Sequence, residues 1–169
     1  GEAVVGKLLA AGVRFDAVFT GDAEAATGAM LAVRKTGLRI PEDIAVIGFD
    51  VDESKREKLT ALGGTGVATI AELARAASPI VLVVFDTDQV EQVVEKELVG
   101  ALGESSGKIV LCVSTCDPDR LAALAERVEK RGIRFVETPV SGSSAQVAAG
   151  EGVALIGGGA AVVTEADAI

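Results

Sequence analysis

No histidine occurs anywhere in these 169 residues. Its absence removes the commonest general base and the commonest zinc ligand together. Aromatic residues make up only 3% of a chain that is 49% hydrophobic, so the core is expected to be aliphatic, built from Val, Ile, Leu and Ala. Cysteine is limited to Cys112 and Cys116. Their spacing is not that of a redox C-x-x-C pair, and the expectation is one buried thiol and one loop thiol. Basic residues are also short: 16 Lys and Arg against 25 Asp and Glu leave a net charge of −9. Such a chain repels phosphate backbones, so nucleic acid is not an expected partner. The longest apolar run, "IVLVVF" from Ile80 to Phe85, is far too short to span a bilayer. The opening "GEAVVGKLL" holds an acid and no cleavage pattern. A cytoplasmic protein with no membrane partner is the expectation.

What is present is a regular alternation. Short β-branched runs occur at "FDAVFT", "DIAVIGF", "IVLVVF", "KIVLCVS", "IRFVETPV" and "GVALIGG". Between them lie helical stretches: "DAEAATGAMLAVRKTG", "DESKREKLTALGG", "IAELARAAS", "DQVEQVVEKELVGAL" and "DPDRLAALAERVEKRG". Another helix is expected from Glu2 to Ala11, a short strand within Thr65 to Thr69, and a helix opening at the end of the chain. Strand–helix alternation implies βαβ units and a parallel sheet. The strands are apolar throughout rather than alternating, as expected when helices cover both sheet faces. Asp22, Asp52 and Asp117 stand where helix N-caps belong, with Pro118 suited to a first helical turn. Gly12, Gly37 and Gly132 are placed to end helices. The predicted fold is α/β: a three-layer, doubly wound parallel sheet, Rossmann-like, with helices on both faces. Residues 1–169 fit a single domain able to bury a core without disulfides or metals.

Some features read blandly. "DTDQVEQVVEKE" gathers carboxylates, but the spacing matches no hard-cation loop. Glu91, Glu95 and Glu97 are read as a solvated helix face paired with Lys96, and no metal is expected. "IGGGAA" is read as a tight turn.

Two longer patterns stand side by side. The stretch "LLAAGVRFDAVFTGDAEAATGAMLAVRKTGLRIPEDIAVIGFD" has a strand ending in T-G-D, a helix with G-A-M-x-A-V-R, and "GLRIPEDIAVIGFD". Residues 1 to about 50 thereby resemble the C-terminal lobe of the lac-repressor family and related periplasmic sugar-binding proteins. Further on stand "DVDESKREKL", "AELARAASPIVLVVF", "GKIVLCVSTCDPD" and "GIRFVETPVSGSSAQVAAGEGVALIGGG". From about residue 50 onward the chain resembles the nucleotide-binding domain of the β-hydroxyacid dehydrogenases, of the 3-hydroxyisobutyrate dehydrogenase type. The two patterns meet near residues 46–52.

The dehydrogenase resemblance implies roles for particular residues. Asp50 takes the position of the acid that binds the adenosine ribose. Ser114 and Thr115 match the Ser-Thr near the nicotinamide, and Ser141 and Gly142 match the Val-Ser-Gly of the substrate loop. Ser143 and Glu137 depart from that pattern, which usually has Gly and Asp there. Ser141 to Ser144 is also readable as a plain capping turn before a helix. The catalytic Lys of those enzymes falls beyond residue 169.

The phosphate turn is where the resemblance weakens. A dinucleotide site needs G-x-G-x-x-G so that the backbone can approach the pyrophosphate at a helix N-terminus. Here the turn reads "TGDAEAATG", with Asp22 and Glu24 at the helix start. Each close carboxylate–phosphate pair repels by about 1 kcal/mol even in water. The expectation is therefore an engineered recombination chimera, a structural scaffold without enzymatic activity or cofactor. Asp50, Ser114, Thr115, Ser141 and Gly142 would be remnants. The alternative is an NAD(P)-binding domain of a β-hydroxyacid dehydrogenase that holds NAD weakly. A homodimer through "VALIGGGAAVV" is the expected partner state.

Overall fold

The computed structural model describes residues 17–18, 30, 33–103, 106–143, 146 and 153–167. In chain order its elements are β1 (Ala17–Val18), β2 (Ala45–Gly48), α1 (Glu53–Ala61), β3 (Thr65–Gly66), α2 (Ile70–Ala76) and β4 (Ile80–Leu82). Then follow α3 (Thr87–Glu91), a π-helical segment (Gln92–Leu98), α4 (Val99–Leu102), β5 (Ile109–Cys112), α5 (Pro118–Glu129) and β6 (Arg134–Glu137). The last are β7 (Val140–Ser141), β8 (Val153–Ala154) and α6 (Ala160–Asp167). The expected helix at 2–11, Gly12 and the Asp22 cap lie outside the described residues.

The caps that set this register are local. Asp52 accepts from the Ser54 N–H at 2.9 Å and opens α1. Asp117 accepts from the N–H groups of Asp119 and Arg120 ahead of α5, with Pro118 in the first turn. Thr69 and Glu72 satisfy each other's backbone N–H groups at the start of α2, a reciprocal box. Each such cap is worth about 1 kcal/mol. Gly37 and Gly132, at φ 82° and 77°, end helical turns in the left-handed region that favours glycine.

β2 pairs in parallel with β1 and β3, Ala17 lying opposite Ala45 and Ile47 opposite Thr65. β5 pairs in parallel with β4 and β6, Val110 standing between Ile80 and Phe135. β1 lies beside β4. The parallel strands therefore run 3-2-1-4-5-6, the order of doubly wound dinucleotide folds. Successive residues of β5 face opposite sides, and all four are buried. Val110, Cys112 and Phe135 pack against Leu73 of α2, Val90, Val94 and Leu98 of the long helix, and Leu121 and Leu124 of α5. Ile109, Leu111 and Val136 face the other way, against Val81 and Val162 of α6. Val46 joins Met30 and Leu59 in a third cluster. Each such aliphatic side chain contributes roughly 1.5–3 kcal/mol on burial. Helices on both faces of a parallel sheet are what the apolar strands predicted.

The structure departs from expectation in three places. β8 runs antiparallel to β7, Ser141 opposite Val153, and a bridge from Glu137 to Gly157 continues the pairing. Residues 142–152 fall short of the dozen or so that a parallel crossover needs. The helix expected as one piece over 88–102 has a π-helical middle. Its buried residues Val90, Val94 and Leu98 recur every four positions. That exceeds the 3.6-residue turn, and a wider turn keeps them on one face. Finally, Glu91 and Glu95 pair across to α5 rather than with Lys96. Arg120 bridges Asp88 and Glu91, and Arg127 bridges Glu91 and Glu95. The Arg120 guanidinium holds the Glu91 carboxyl below its ordinary range.

Cys112 is fully buried, and burial pushes its thiol up to about 12, while Cys116 is half-buried. Val153, Leu155 and Ile156 are exposed. Among the described residues no helix is long and apolar enough to cross a membrane.

Candidate functional site

The carboxyl ends of β2 and β4 frame a cavity of about 890 Å³. Phe49, Asp50 and Val51 follow β2 on one side; Val83, Val84 and Phe85 follow β4 on the other. β1 lies between these strands, where the strand order reverses direction. Ligands of open parallel sheets bind at such switch points, beyond the strand ends. The volume falls within the range of small-molecule sites.

Asp50 is held by the first turn of α1. One carboxylate oxygen accepts from the Asp52 N–H at 2.9 Å. The other stands 3.3 Å from the Lys55 ammonium, and the Asp50 side chain is only 13% exposed. Arg56 donates to the Asp50 carbonyl. The acid at the end of β2 is thus fixed in the cavity wall with Lys55 beside it. Across the mouth, the Phe85 N–H donates to Gln89 Oε1 at 3.0 Å, and the Gln89 N–H donates to Asp86 at 2.9 Å. Phe85 and Val51 stand at the rim, each 89% exposed.

Beyond β4 the strand ends are joined by hydroxyls. Ser114 Oγ donates to the Val84 carbonyl at 2.7 Å and accepts from the Val84 N–H at 2.8 Å. Thr138 Oγ1 and its N–H both donate to the Cys112 carbonyl. Thr87 Oγ1 accepts from the Asp117 N–H at 3.1 Å, tying the start of α3 to the start of α5. All three hydroxyl residues are buried. They hold β4, β5 and β6 in fixed relation at the end where a ligand would sit.

Of the five residues singled out from sequence, only Asp50 lines the cavity. Ser114 lies behind it and acts on its wall through Val84. Thr115 is exposed past the end of β5; Ser141 and Gly142 are exposed after β6. At the next position the Ser143 N–H donates to Gln146 Oε1 at 2.8 Å, and the Gln146 N–H donates to Ser143 Oγ at 3.3 Å. That is the reciprocal pattern of a helix start. The turn with Asp22 and Glu24 lies outside the described residues. Sequence reasoning missed Lys55, Phe85, Thr87 and Thr138. The only local signal for the two threonines is a hydroxyl residue placed just past an apolar strand. Among the described residues no three His, Cys, Asp or Glu side chains come together as a metal site would need.

Comparison with known proteins decides the family. Residues 22–169 match the family model of the NAD binding domain of 6-phosphogluconate dehydrogenase. The chain belongs to that family. An uncharacterised oxidoreductase of Mycobacterium tuberculosis is 33% identical over 109 residues, which is 64% of this chain and 37% of that protein. L-threonate dehydrogenase of Cupriavidus necator is 27% identical over 120 residues, 68% of this chain and 40% of that enzyme. The crystal structure of 3-hydroxyisobutyrate dehydrogenase from Salmonella typhimurium superposes with a TM-score of 0.71 at 20% identity, covering 90% of this chain and 50% of that one. At that identity the likeness shows the fold alone. The chain spans half or less of the length of these proteins.

Membership in this NAD-binding family corrects three expectations. A scaffold without function, a chain that is no part of an enzyme, and a chain without a cofactor are all overturned by the match to residues 22–169. The match begins inside the segment likened to a sugar-binding lobe and runs through the supposed junction. It supports the dehydrogenase part of the resemblance and not the recombined scaffold. Asp22 and Glu24 are unfavourable beside a pyrophosphate, but the family pattern runs through and far beyond that turn, over residues 22–169.

Proposed function

We propose that this chain is the dinucleotide-binding part of an NAD(P)-dependent oxidoreductase acting on a β-hydroxy acid. The observation that carries the reading is the cavity at the switch point with Asp50 fixed in its wall. In this reading the adenosine half lies in the cavity and its ribose diol donates to the Asp50 carboxylate. The fit is chemical as well as spatial. Asp50 keeps acceptor capacity beside its contacts with Asp52 and Lys55, and the cavity around it is largely aliphatic.

The other candidate residues follow in order along the sheet. Thr115 stands past β5, three strand spacings from β2, roughly 14 Å. An extended dinucleotide suits that span, with Ser114 and Thr115 toward the nicotinamide and Ser141 and Gly142 toward the substrate. When bound, the nicotinamide supplies hydride transfer. This chain's own residues bind and orient: Asp50 fixes the ribose, and the Ser114–Val84 and Thr138–Cys112 contacts fix the strand ends beneath it. Asp50 also favours NAD over NADP. A 2′-phosphate against the carboxylate costs about 1 kcal/mol at high dielectric and about 4 near a protein surface. Lys55, 3.3 Å away, offsets part of that.

Titration of the chain with NADH, followed by cofactor fluorescence, tests the reading. Saturable binding is expected, weakened by Asp50→Ala more for NADH than for NADPH. No binding up to millimolar NADH overturns it.

A further inference from the structure

We infer that Thr87 is a positioning residue for the nicotinamide half of the cofactor: its hydroxyl fixes the loop after β5, residues 113–117, on which Thr115 stands. The inference rests on the cofactor reading above and names what holds the far end of that site. Thr115 is exposed between two anchored neighbours. Ser114 is tied to Val84 beyond β4 through its hydroxyl. Asp117 is tied through its N–H to Thr87 Oγ1 at 3.1 Å, thirty positions away in sequence. Both anchors lie on the segment that joins β4 to α3 or at the start of α3 itself. The place of the loop is thus set from the neighbouring strand and helix.

The Asp117 amide needs this partner. Asp117 caps α5 with its side chain, and the N–H of a capping residue has no place in the helical ladder. Thr87 is the first residue of α3, with Asp86 as the cap ahead of it, and it is only 9% exposed. A β-branched side chain has few χ1 choices, and close packing around it narrows them further. Its oxygen is therefore aimed at Asp117 before any ligand arrives. Arg120 crosses the same gap to Asp88 and Glu91, but its side chain is 42% exposed. Exposed ion pairs contribute little. The buried hydroxyl carries the positioning.

Removing that oxygen sets two arrangements of the loop against each other. In Thr87→Val a methyl group stands where the acceptor was, and the Asp117 amide loses its partner. The loop relaxes until water reaches the amide. Binding the nicotinamide half draws Thr115 back into place and strips the amide of water again. The affinity for NADH falls by that difference. The adenosine half, held beside Asp50, does not call on this loop, so a ligand that carries only that half is spared.

The test titrates the whole chain with NADH and with AMP by calorimetry. Thr87→Val is expected to weaken NADH by about tenfold, toward the low end of what an unpaired buried amide costs. AMP should stay within about twofold, the scatter of independent sites. Thr87→Ser keeps the oxygen and should restore NADH. Thr115→Ala should lose less affinity in the Thr87→Val background than in the native chain, because the two residues act through one loop. The native chain gives a further readout: NADH, but not AMP, should slow hydrogen exchange at the Asp117 amide. Unchanged NADH affinity in Thr87→Val, equal losses for NADH and AMP, no rescue by Thr87→Ser, or independent losses with Thr115→Ala each refute the positioning role while the cofactor reading stands. Should Thr87→Val fail to fold by circular dichroism, the exchange measurement decides, and an Asp117 amide indifferent to NADH refutes the role. A native chain that binds no NADH overturns the cofactor reading, and this inference falls with it.

Discussion

Replacing Ser114 with alanine removes one oxygen and breaks two hydrogen bonds at once. Ser114 Oγ donates to the Val84 carbonyl at 2.7 Å and accepts from the Val84 N–H at 2.8 Å. Both bonds cross from β5 to β4, thirty positions apart in sequence. The hydroxyl is buried, at 6% residue exposure, and the truncation leaves almost no cavity. The cost therefore lies with Val84. A backbone group left without its partner costs about 1–3 kcal/mol when water cannot reach it. Val84 lines the cavity and is half-buried, so water partly replaces the lost oxygen. The low end applies to each bond, giving about 2 kcal/mol in total. That is a large share of the 5–15 kcal/mol that typically holds a domain folded. Urea denaturation of the native chain and of Ser114→Ala measures the loss. Hydrogen exchange at the Val84 amide locates it, since protection there should fall. Thr115→Ala is the control: Thr115 is exposed, and its loss should stay within about 0.5 kcal/mol. A Ser114→Ala loss below that same 0.5 kcal/mol, with Val84 protection intact, would refute the view that this hydroxyl joins the strand ends.

Four further predictions follow from other parts of the fold. A Cβ at Gly66 would sit 2.7 Å from the Arg56 carbonyl oxygen of α1, whereas one at Gly100 meets nothing within 4 Å. Gly66→Ala should therefore destabilise by about 1–3 kcal/mol, and Gly100→Ala, inside a helix, should stabilise by about 0.5–1 kcal/mol; matching signs in thermal melts would contradict the packing. Hydrogen bonds from Arg39 hold the Asp43 carboxyl at about 2, below its ordinary 3.8. This depressed acid stabilises the fold fully above pH 3.8 and loses its contribution as pH falls toward 2; an NMR titration should show it, and Arg39→Ala should return Asp43 toward 3.8. A thiol reagent at pH 8 should label Cys116 in the folded chain and both cysteines once denatured, because Cys112 is buried with its thiol pushed up to about 12; rapid labelling of Cys112 in the native state would contradict its burial. Exposed Val153, Leu155 and Ile156 are expected to support self-association; light scattering should show dimer growing with concentration and lost in Leu155→Lys, and a strict monomer at high concentration counts against it.

Much of the fold could be read locally. Asp52, Asp117 and Pro118 announce helix starts because a cap is decided within three residues of chain. The run Ile109 to Cys112 announces a strand buried on both faces because each of its residues is apolar. Asp50 was found for the same kind of reason: it ends a strand, and the resemblance names that position. The helix starting at Thr87 was legible as a helix, but its π-helical middle was not. That wider turn answers to the core that Val90, Val94 and Leu98 must reach, and the core is made by other elements.

The family pattern is present in the sequence as well, and it includes the acidic turn that holds Asp22 and Glu24. Composition, alternation and caps determined a doubly wound α/β chain with an aliphatic core. Those properties depend on neighbours a few residues away. Only the tertiary structure decided that Ser114 serves Val84, that Arg120 and Arg127 neutralise the carboxylates of α3 and the π-helical segment, and that β8 turns back antiparallel. It alone brought Asp50, Val51 and Phe85 to one cavity mouth. The Ser114 and arginine contacts depend on strand order, which brings residues about thirty positions apart within hydrogen-bonding reach. No local propensity encodes that distance.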